Sequence, residues 1–573
     1  MASTAQTAGG EGKLARGYTL DTGTLIAAAL AVCVAQIGLA IPAVLNGLFQ
    51  KDLGTSAAQL TWISDAFLVP ITLLELTFGV VGDMFGRKRL LLVGAALMVA
   101  GEVIAVLTPG PGTAHDTRVI VLWAGQALAG IGAAALFPTS LAMVAAGTHT
   151  ARSRGRGISI WAAALSSGGF VSPVIGGALA TASFGSDPNA SWHWAFAAVA
   201  GLAALSFVVS ALLAKSSSSP EGRSLDWPGQ VSIAIGMFAL LFAVIQASSY
   251  GWAATQVIVA FCVAAVFLAI FIAVEARVRA PLLRPELFGN RAFAVTAAVT
   301  VIGMFSFLGT AYAASIRLSA IQLFSPLTTS AAFVLIQAFA LVLQPLNERL
   351  LPHVNPRWVL GTGFAFIAGG DFWLSTQSSP GGTIFPVVAP LAVVGIGFAF
   401  AIASVTAVAV NTVPLRLTGM ASATTSLLRD FGFTLGPAII GAIALRRAAS
   451  RIHAHVASSS ALAHALHVFY SLPAHVPPAE HAKVAAAVAA VRSGPLGANA
   501  VPAAIPGPGG RLIPFNPLKQ VAFHALSNSY SLGFFVCFVA AAFSALLVLV
   551  VLSRMHGARE EGRAPIPGAV PAL

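Results

Sequence analysis

Gly79-Val-Val-Gly82-Asp83-Met-Phe-Gly86-Arg87-Lys88-Arg89 joins two long apolar runs, one beginning near Ala58 and the other near Leu90. The glycines let backbones turn or approach closely, and Asp83 can pair with an arginine or accept from a helix N-terminus. Three consecutive cations hold such a short connection on the cytoplasmic side of a bilayer. The segment reads as a tight hinge between two membrane helices, and so predicts a chain that crosses the membrane repeatedly.

Composition agrees. Of 573 residues, 57% are hydrophobic and 9% charged, with mean hydropathy +0.86, against roughly 45–50% apolar and 25% charged in soluble domains. The net charge of +12 does not indicate nucleic acid, because the basic residues lie between apolar runs rather than on one soluble face. Cys33, Cys262 and Cys537 each stand alone in an apolar run, which offers neither a disulfide framework nor a metal-ligand spacing and leaves core packing as their expected role. The polar segment Met1 to Thr19 has no apolar stretch of a cleaved signal.

Runs long enough to cross a bilayer, about 20 residues each, begin near Thr24, Ala58, Leu90, Val119, Gly157, Trp192, Trp227, Thr255, Arg291, Leu327, Trp358, Ile384, Leu417 and Ser529. The expected fold is thus an all-α integral membrane protein of fourteen spans. With the N-terminus inside, twenty Lys and Arg fall in cytoplasmic segments and only Lys51, Arg118 and Arg317 in short outer loops, which sets the orientation, both termini cytoplasmic. The outer segment 446–528 is basic but long enough to escape that rule. It is expected to form a short helix over Ala479 to Val491 and a flexible excursion over Pro495 to Pro517. Seven histidines lie in it, without a carboxylate- or cysteine-bearing ligand set, so no metal is assigned.

Spans 1–6 and 9–14 read as two six-helix bundles, with spans 7 and 8 inserted between them. The expected divisions are a tail 1–19, a bundle 20–214, a linker with two helices 215–283, a second bundle 284–555 and a tail 556–573. Span 5 carries Gly168-Gly-Phe-Val-Ser172-Pro173-Val-Ile-Gly176-Gly177, and span 13 carries Gly432-Phe-Thr-Leu-Gly436-Pro437-Ala-Ile-Ile-Gly441. Small residues permit close helix packing and proline a bend, and one such stretch per half is what parallel repeats require.

The hinge resembles the loop between spans 2 and 3 of the major facilitator superfamily, G-x-x-x-D-x-x-G-R-K, so Gly79, Asp83, Gly86, Arg87 and Lys88 are expected to form a cytoplasmic gate that clamps the two bundles through Asp83 and Arg87, and span 5 resembles the superfamily's antiporter signature, with Ser172 in place of one glycine. Trp192-His-Trp194-Ala-Phe196, Asp226-Trp227-Pro228-Gly229, Glu275-Ala-Arg277, Arg429-Asp430-Phe-Gly432 and Gln520-Val-Ala-Phe-His-Ala-Leu, in that order, are similar to the fourteen-span drug:proton antiporter family. The resemblance covers about residues 20–555 and implies export of amphipathic small molecules, drugs or a metabolite, across the plasma membrane in exchange for protons. It implies no cofactor beyond the coupling proton, a lipid-embedded monomer, and no enzymatic activity. Two positions depart from the family pattern. Cys33 stands near the place of a span-1 aspartate, and Gln126, four residues before Gly130-Ile-Gly-Ala-Ala134, replaces the span-4 arginine. Uptake of a metabolite by the same fold, or a non-transporting membrane receptor, are the alternatives.

A carboxylate in the hydrocarbon region costs about 2.5–3.5 kcal/mol on insertion scales unless it is paired or faces water. Asp65 and Glu75 in span 2, Asp371 in span 11 and the Arg429–Asp430 pair in span 13 are therefore candidates for proton coupling, with Asp65 and Asp371 foremost. Arg429 and Asp430 could equally bind helices together; as sequence neighbours they are expected to serve different partners. Glu102, near the outer end of span 3, is expected to be solvated.

Overall fold

A computed structural model describes residues 21–147, 151–180, 188–218, 226–278, 281, 286–351, 353–377, 383–413, 418–476, 478–506 and 511–552. The two expected tails, 1–19 and 556–573, lie outside them. The long helices are α1 (Thr22–Ala40), α2 (Pro42–Leu53), α3 (Ala57–Phe85), α4 (Arg87–Val106), α5 (His115–Ala146), α6 (Ala151–Leu179), α7 (Trp192–Leu213), α8 (Trp227–Tyr250) and α9 (Thr255–Glu275). The second half continues with α10 (Arg291–Ser315), α11 (Pro326–Val342), α12 (Gln344–Leu350), α13 (Pro356–Thr376), α14 (Phe385–Asn411) and α15 (Thr418–Ser458). Beyond these come α16 (Ser460–Ser471), α17 (Pro478–Arg492), α18 (Pro495–Ala500), the strands β1 (Ala504–Pro506) and β2 (Leu512–Pro514), and α19 (Lys519–Leu546).

The helix ends follow local chemistry. Ser56 and Gln59 form a reciprocal capping box at the start of α3, and Asp226, Asn290, Ser325 and Asn355 accept from backbone N–H groups at the starts of α8, α10, α11 and α13. Each satisfies a donor that hydrocarbon could not.

Thirteen of the described helices are long and apolar enough to cross a membrane. The eleventh expected span coincides with α13, which has 21 residues but is not among the thirteen; it carries Asp371 and a run of glycines and is held between α14 and α19.

Packing repeats between the halves. In the first, α1 lies on α5, α6 and α7, α3 on α5, and α4 on α5 and α7; in the second, α10 lies on α14, α15 and α19, α11 on α14, and α13 on α14 and α19. The halves meet along two seams, α3 against α15 and α6 against α11, with the α8–α9 pair leaning through α8 on the first seam, and also through α2, which packs on α10, α11 and residues 316–321. Within each half, the glycine stretches let helices approach closely. Gly168 of α6 abuts the Cys33 carbonyl of α1, and a Cβ at Gly436 of α15 would lie 2.6 Å from the Gly309 nitrogen of α10. Cys537 is buried and Cys33 half-buried, but Cys262 on α9 is exposed and plays no part in the core.

Two expectations about the end bearing residues 446–528 need correction. Helix α15 runs through Arg446 to Ser458, 41 residues or roughly 60 Å, about twice the hydrocarbon thickness, and α19 begins at Lys519, ten residues before the apolar run at Ser529. The Pro/Gly-rich stretch is not an excursion throughout: α18 is a buried helix, and β1 pairs antiparallel with β2, Ile505 opposite Ile513. Buried asparagines hold it, as described below.

Candidate functional site

Along α3, Thr61, Asp65, Thr72 and Glu75 recur at spacings of four, seven and three, one face of a helix. That face meets the second half. The Thr61 and Tyr312 hydroxyls are 2.9 Å apart, and Thr72 lies 2.9 Å from Thr434 of α15. Asp65 is wholly buried, and neither of its carboxyl oxygens has a hydrogen-bond partner. Tyr312 lies beside it, next to the buried Tyr530 of α19.

About 15 Å further along α3, Glu75 interacts with Asp430 and the Arg429 guanidinium, and one of its oxygens is unpartnered. Arg429 donates to both Asp430 oxygens, Nε at 2.8 Å and Nη2 at 3.1 Å. The sequence neighbours thus bond one another rather than separate partners, because the long arginine side chain folds back along its own helix. A crevice flanks this cluster, lined by Thr72, Leu73, Leu76, Gln230, Ile233, Phe271 and Leu427. Gln230 of α8 ties that helix to α3 by bonding Thr77 and the Leu73 carbonyl.

Asp371 is placed differently. Thr310 donates to it at 2.6 Å and Ser306 at 3.1 Å, and Ser306 also reaches the Cys537 carbonyl at 2.9 Å. Those groups come from α10 and α19, so the acid sits in the interior of the second bundle, away from the seams, with both oxygens satisfied.

Glu102 is not solvated: it is wholly buried in the first bundle beside Gln126, itself wholly buried. Neither side chain has a partner within hydrogen-bonding geometry. Helix α4 packs that face on α5 through Gly101 and Gly125, whose backbones touch the neighbouring helix. Gly130, one turn beyond Gln126, lets α5 press on the Phe67 backbone of α3.

In the hinge, Asp83 accepts from Arg87 Nε at 2.9 Å and Nη2 at 2.6 Å. Gly86 has φ +108°, a conformation that disfavours a side chain. The Arg87 N–H bonds the Ser217 carbonyl and Lys88 the Ala211 carbonyl, so the hinge is fastened to the end of α7 in its own half. Gly79 and Gly82 face Pro138 and Thr139 of α5. In α6, Ser172 donates to the Ile37 carbonyl at 3.1 Å, Pro173 sits within the helix, Gly176 meets Val44, and Gly177 meets Ser330 of α11. These residues set helix spacing at and behind the second seam.

Sequence reasoning missed Thr61, Tyr312, Tyr530 and Gln230. The signal was present: only five tyrosines occur in the chain, and two of them fall inside spans. It also took Arg118 for a loop cation, whereas Arg118 and Asp52 form a buried pair at 2.8 Å, with Trp192 donating to the other Asp52 oxygen at 2.8 Å.

Comparison with known proteins places this architecture. By sequence the chain is 26% identical over 422 residues to the multidrug resistance protein Stp of Mycobacterium tuberculosis, covering 73% of this chain and 75% of that one. It is 26% identical to the tetracenomycin C resistance and export protein of Streptomyces glaucescens, over 74% and 76% of the two chains. To the multidrug efflux pump LfrA of Mycolicibacterium smegmatis it is again 26% identical, over 72% and 79%. In fold it is similar to tetrameric PepTSo2, TM-score 0.56 at 16% identity over 94% of this chain and 100% of that one. A bacterial homolog of the human lysosomal transporter Spinster, solved inward-facing and unoccupied, gives 0.55 at 14% over 92% and 97%. The model of the Major Facilitator Superfamily matches residues 26–437, so the chain is a multi-pass transporter and belongs to that superfamily.

Proposed function

We propose that this transporter exports amphipathic small molecules, drugs or a metabolite, across the plasma membrane in exchange for protons. The residue ranges 20–214 and 284–555 act as the two rocking units, with 215–283 as an intervening pair of helices, both termini cytoplasmic and the chain working as a monomer. The relatives named for drug resistance and efflux support the substrate class. One observation carries the coupling: Asp65 and Glu75, two buried acids on one face of α3, each keep an unpartnered oxygen at the seam between the halves.

Rocking one bundle against the other changes the surroundings of a seam group more than those of a group inside a bundle. An acid there can take a proton from one side and give it up on the other, while a substrate competes for the same seam. The Arg429–Asp430 pair supplies the charge that Glu75 meets when the seam is closed. The hinge, with Asp83 holding Arg87 and with the Arg87 N–H and Lys88 fastened to the end of α7, keeps the first half rigid as it moves, rather than clamping the two bundles together.

The test is proton movement in inverted membrane vesicles on addition of lipophilic compounds, with Asp65→Asn and an empty-vector control alongside. Substrate-evoked proton release that Asp65→Asn abolishes supports the reading. Release equal to that of the empty vector removes the grounds for antiport.

A further inference from the structure

At the end that bears residues 446–528 the two halves meet through α2. There Asn46 of α2 donates to Ser315 at 2.8 Å, Ser315 donates to the Ala43 carbonyl, and a Cβ at Gly47 would lie 2.7 Å from the Ser319 carbonyl oxygen. The first half contributes α2. The second contributes the end of α10 and its continuation Ile316–Ile321, wound as a π-helix, a form that recurs at functional sites.

Into this junction is set α18, a six-residue helix from the loop between α15 and α19. It touches α2 of the first half as well as 316–321, α15 and α19 of the second. Residues 495–499 are all buried. Asn499, wholly buried, donates to the Ala320 and Ile321 carbonyls at 2.8 and 3.1 Å, so it occupies backbone acceptors that the π-helical turn leaves over. Lys519, at the start of α19, donates to the Asn499 carbonyl, and Asn516 donates to the Ala498 and Val501 carbonyls at 2.7 and 3.2 Å. A connection that only had to join α15 to α19 would need no buried polar anchors. Each of these has a cost when broken without replacement, because buried carbonyls are left unpaired.

We propose that α18 is a latch: it holds the loop-bearing ends of the two halves together, and it must withdraw each time that end opens. This rests on the alternating-access reading above, but makes a separate demand on a segment outside residues 26–437, the part that matches the superfamily. Opening would pull α2 away from Ile316–Ile321, and α18, bonded to one and packed on the other, cannot follow both. Its bonds lie with the second half, so α2 is the surface it releases. The loop thereby sets how often the loop-bearing end opens.

The experiment reads exposure of the sealed junction directly. In full-length protein carrying Cys33→Ala, Cys262→Ala and Cys537→Ala, Ser319→Cys is a reporter buried at the junction. Its labelling by a membrane-impermeant maleimide is timed in whole cells and in inverted vesicles, so that either orientation is read. Asn499→Ala should speed labelling about five- to tenfold, having lost two bonds to the π-helical turn. Asn516→Ala, which loosens α18 without touching the junction, should speed it about threefold, and decides the matter if Asn499→Ala fails to reach the membrane. Unchanged labelling in the inserted variants overturns the latch. Faster labelling in the variants of a parent that moves no protons on substrate addition would leave the latch standing and remove antiport.

Discussion

Asp65 and Asp371 are both aspartates with no exposed surface, both well inside membrane helices, and they occupy opposite kinds of place. Asp371 lies within one bundle and receives two hydroxyl donors, from Ser306 and Thr310. Asp65 lies where the two halves meet and receives none. An acid with fixed donors has been built into a packed unit, and its contacts travel with that unit. An acid without them is free, in the proposed exchange, to gain and lose a partner as the seam opens. On that reading burial alone does not mark a coupling carboxylate, and burial at the boundary without a fixed partner does.

The comparison is broken most severely by changes inside a bundle. Gly436→Val would drive a branched side chain into the α10 backbone, where even a Cβ comes within 2.6 Å of Gly309 N. Overpacking of this kind costs about 1–3 kcal/mol or more, and a backbone neighbour cannot turn aside. Little folded protein should reach the membrane, as read by fluorescence-detection size exclusion in detergent. Normal yield would show that the interior is looser than the glycine contacts imply.

Seam changes should do the reverse, sparing the fold and stopping the work. Asp65→Asn removes an ionisable group that bonds to nothing, so yield and thermal stability in detergent should hold. Proton-driven efflux should fall on the order of tenfold or more, because the seam loses its unpaired acid. Arg429→Ala is the intermediate case. It leaves Asp430 and Glu75 facing each other without the cation, and breaking such a pair when buried costs about 3–5 kcal/mol, less where the arginine is partly exposed. Both stability and efflux should drop, and Asp430→Asn in the same background should restore stability but not coupling.

How much of this was legible beforehand follows from what each signal depends on. Apolar runs and the hinge motif fix where helices begin and turn, and every expected span has a helix on it. The polar stripe Thr61, Asp65, Thr72, Glu75 was also present as a period on a single helix. Neither shows which way a helix is rotated against its neighbours. That rotation gives Asp371 its two hydroxyls and Asp65 none, and it puts Glu102 in a core although its distance from the end of α4 suggested water. The segment α18 was unreadable for a related reason: Pro and Gly mark a break in local structure, while the bonds of Asn499 depend on a surface more than 170 residues away in sequence.

Asp371→Asn should lie between these extremes. Asparagine keeps one oxygen for Thr310 or Ser306 and brings an amide that then needs an acceptor, so stability should fall by about 1–3 kcal/mol while efflux stays within about threefold of the parent. Thermal unfolding in detergent and vesicle transport separate the two effects. Abolished efflux at unchanged stability would put the coupling proton inside the second bundle and reverse the ranking of the two aspartates.

Glu102 is the sharpest probe of the rule because it satisfies half of it. Like Asp65 it is wholly buried with both oxygens unpartnered, yet it lies within the first bundle, where Gly101 and Gly125 bring α4 and α5 into backbone contact. If lack of a partner were enough to mark a coupling acid, Glu102→Gln would stop transport. If position at a boundary that opens is also required, the substitution should be nearly silent: glutamine has almost the same shape and faces Gln126 as the glutamate does. The smallest effect is therefore expected here, efflux within about twofold and stability within about 1 kcal/mol of the parent. A large loss of proton-coupled efflux at normal yield would mean that the α4–α5 contact also opens during the cycle, and that the moving boundary is not confined to the two seams.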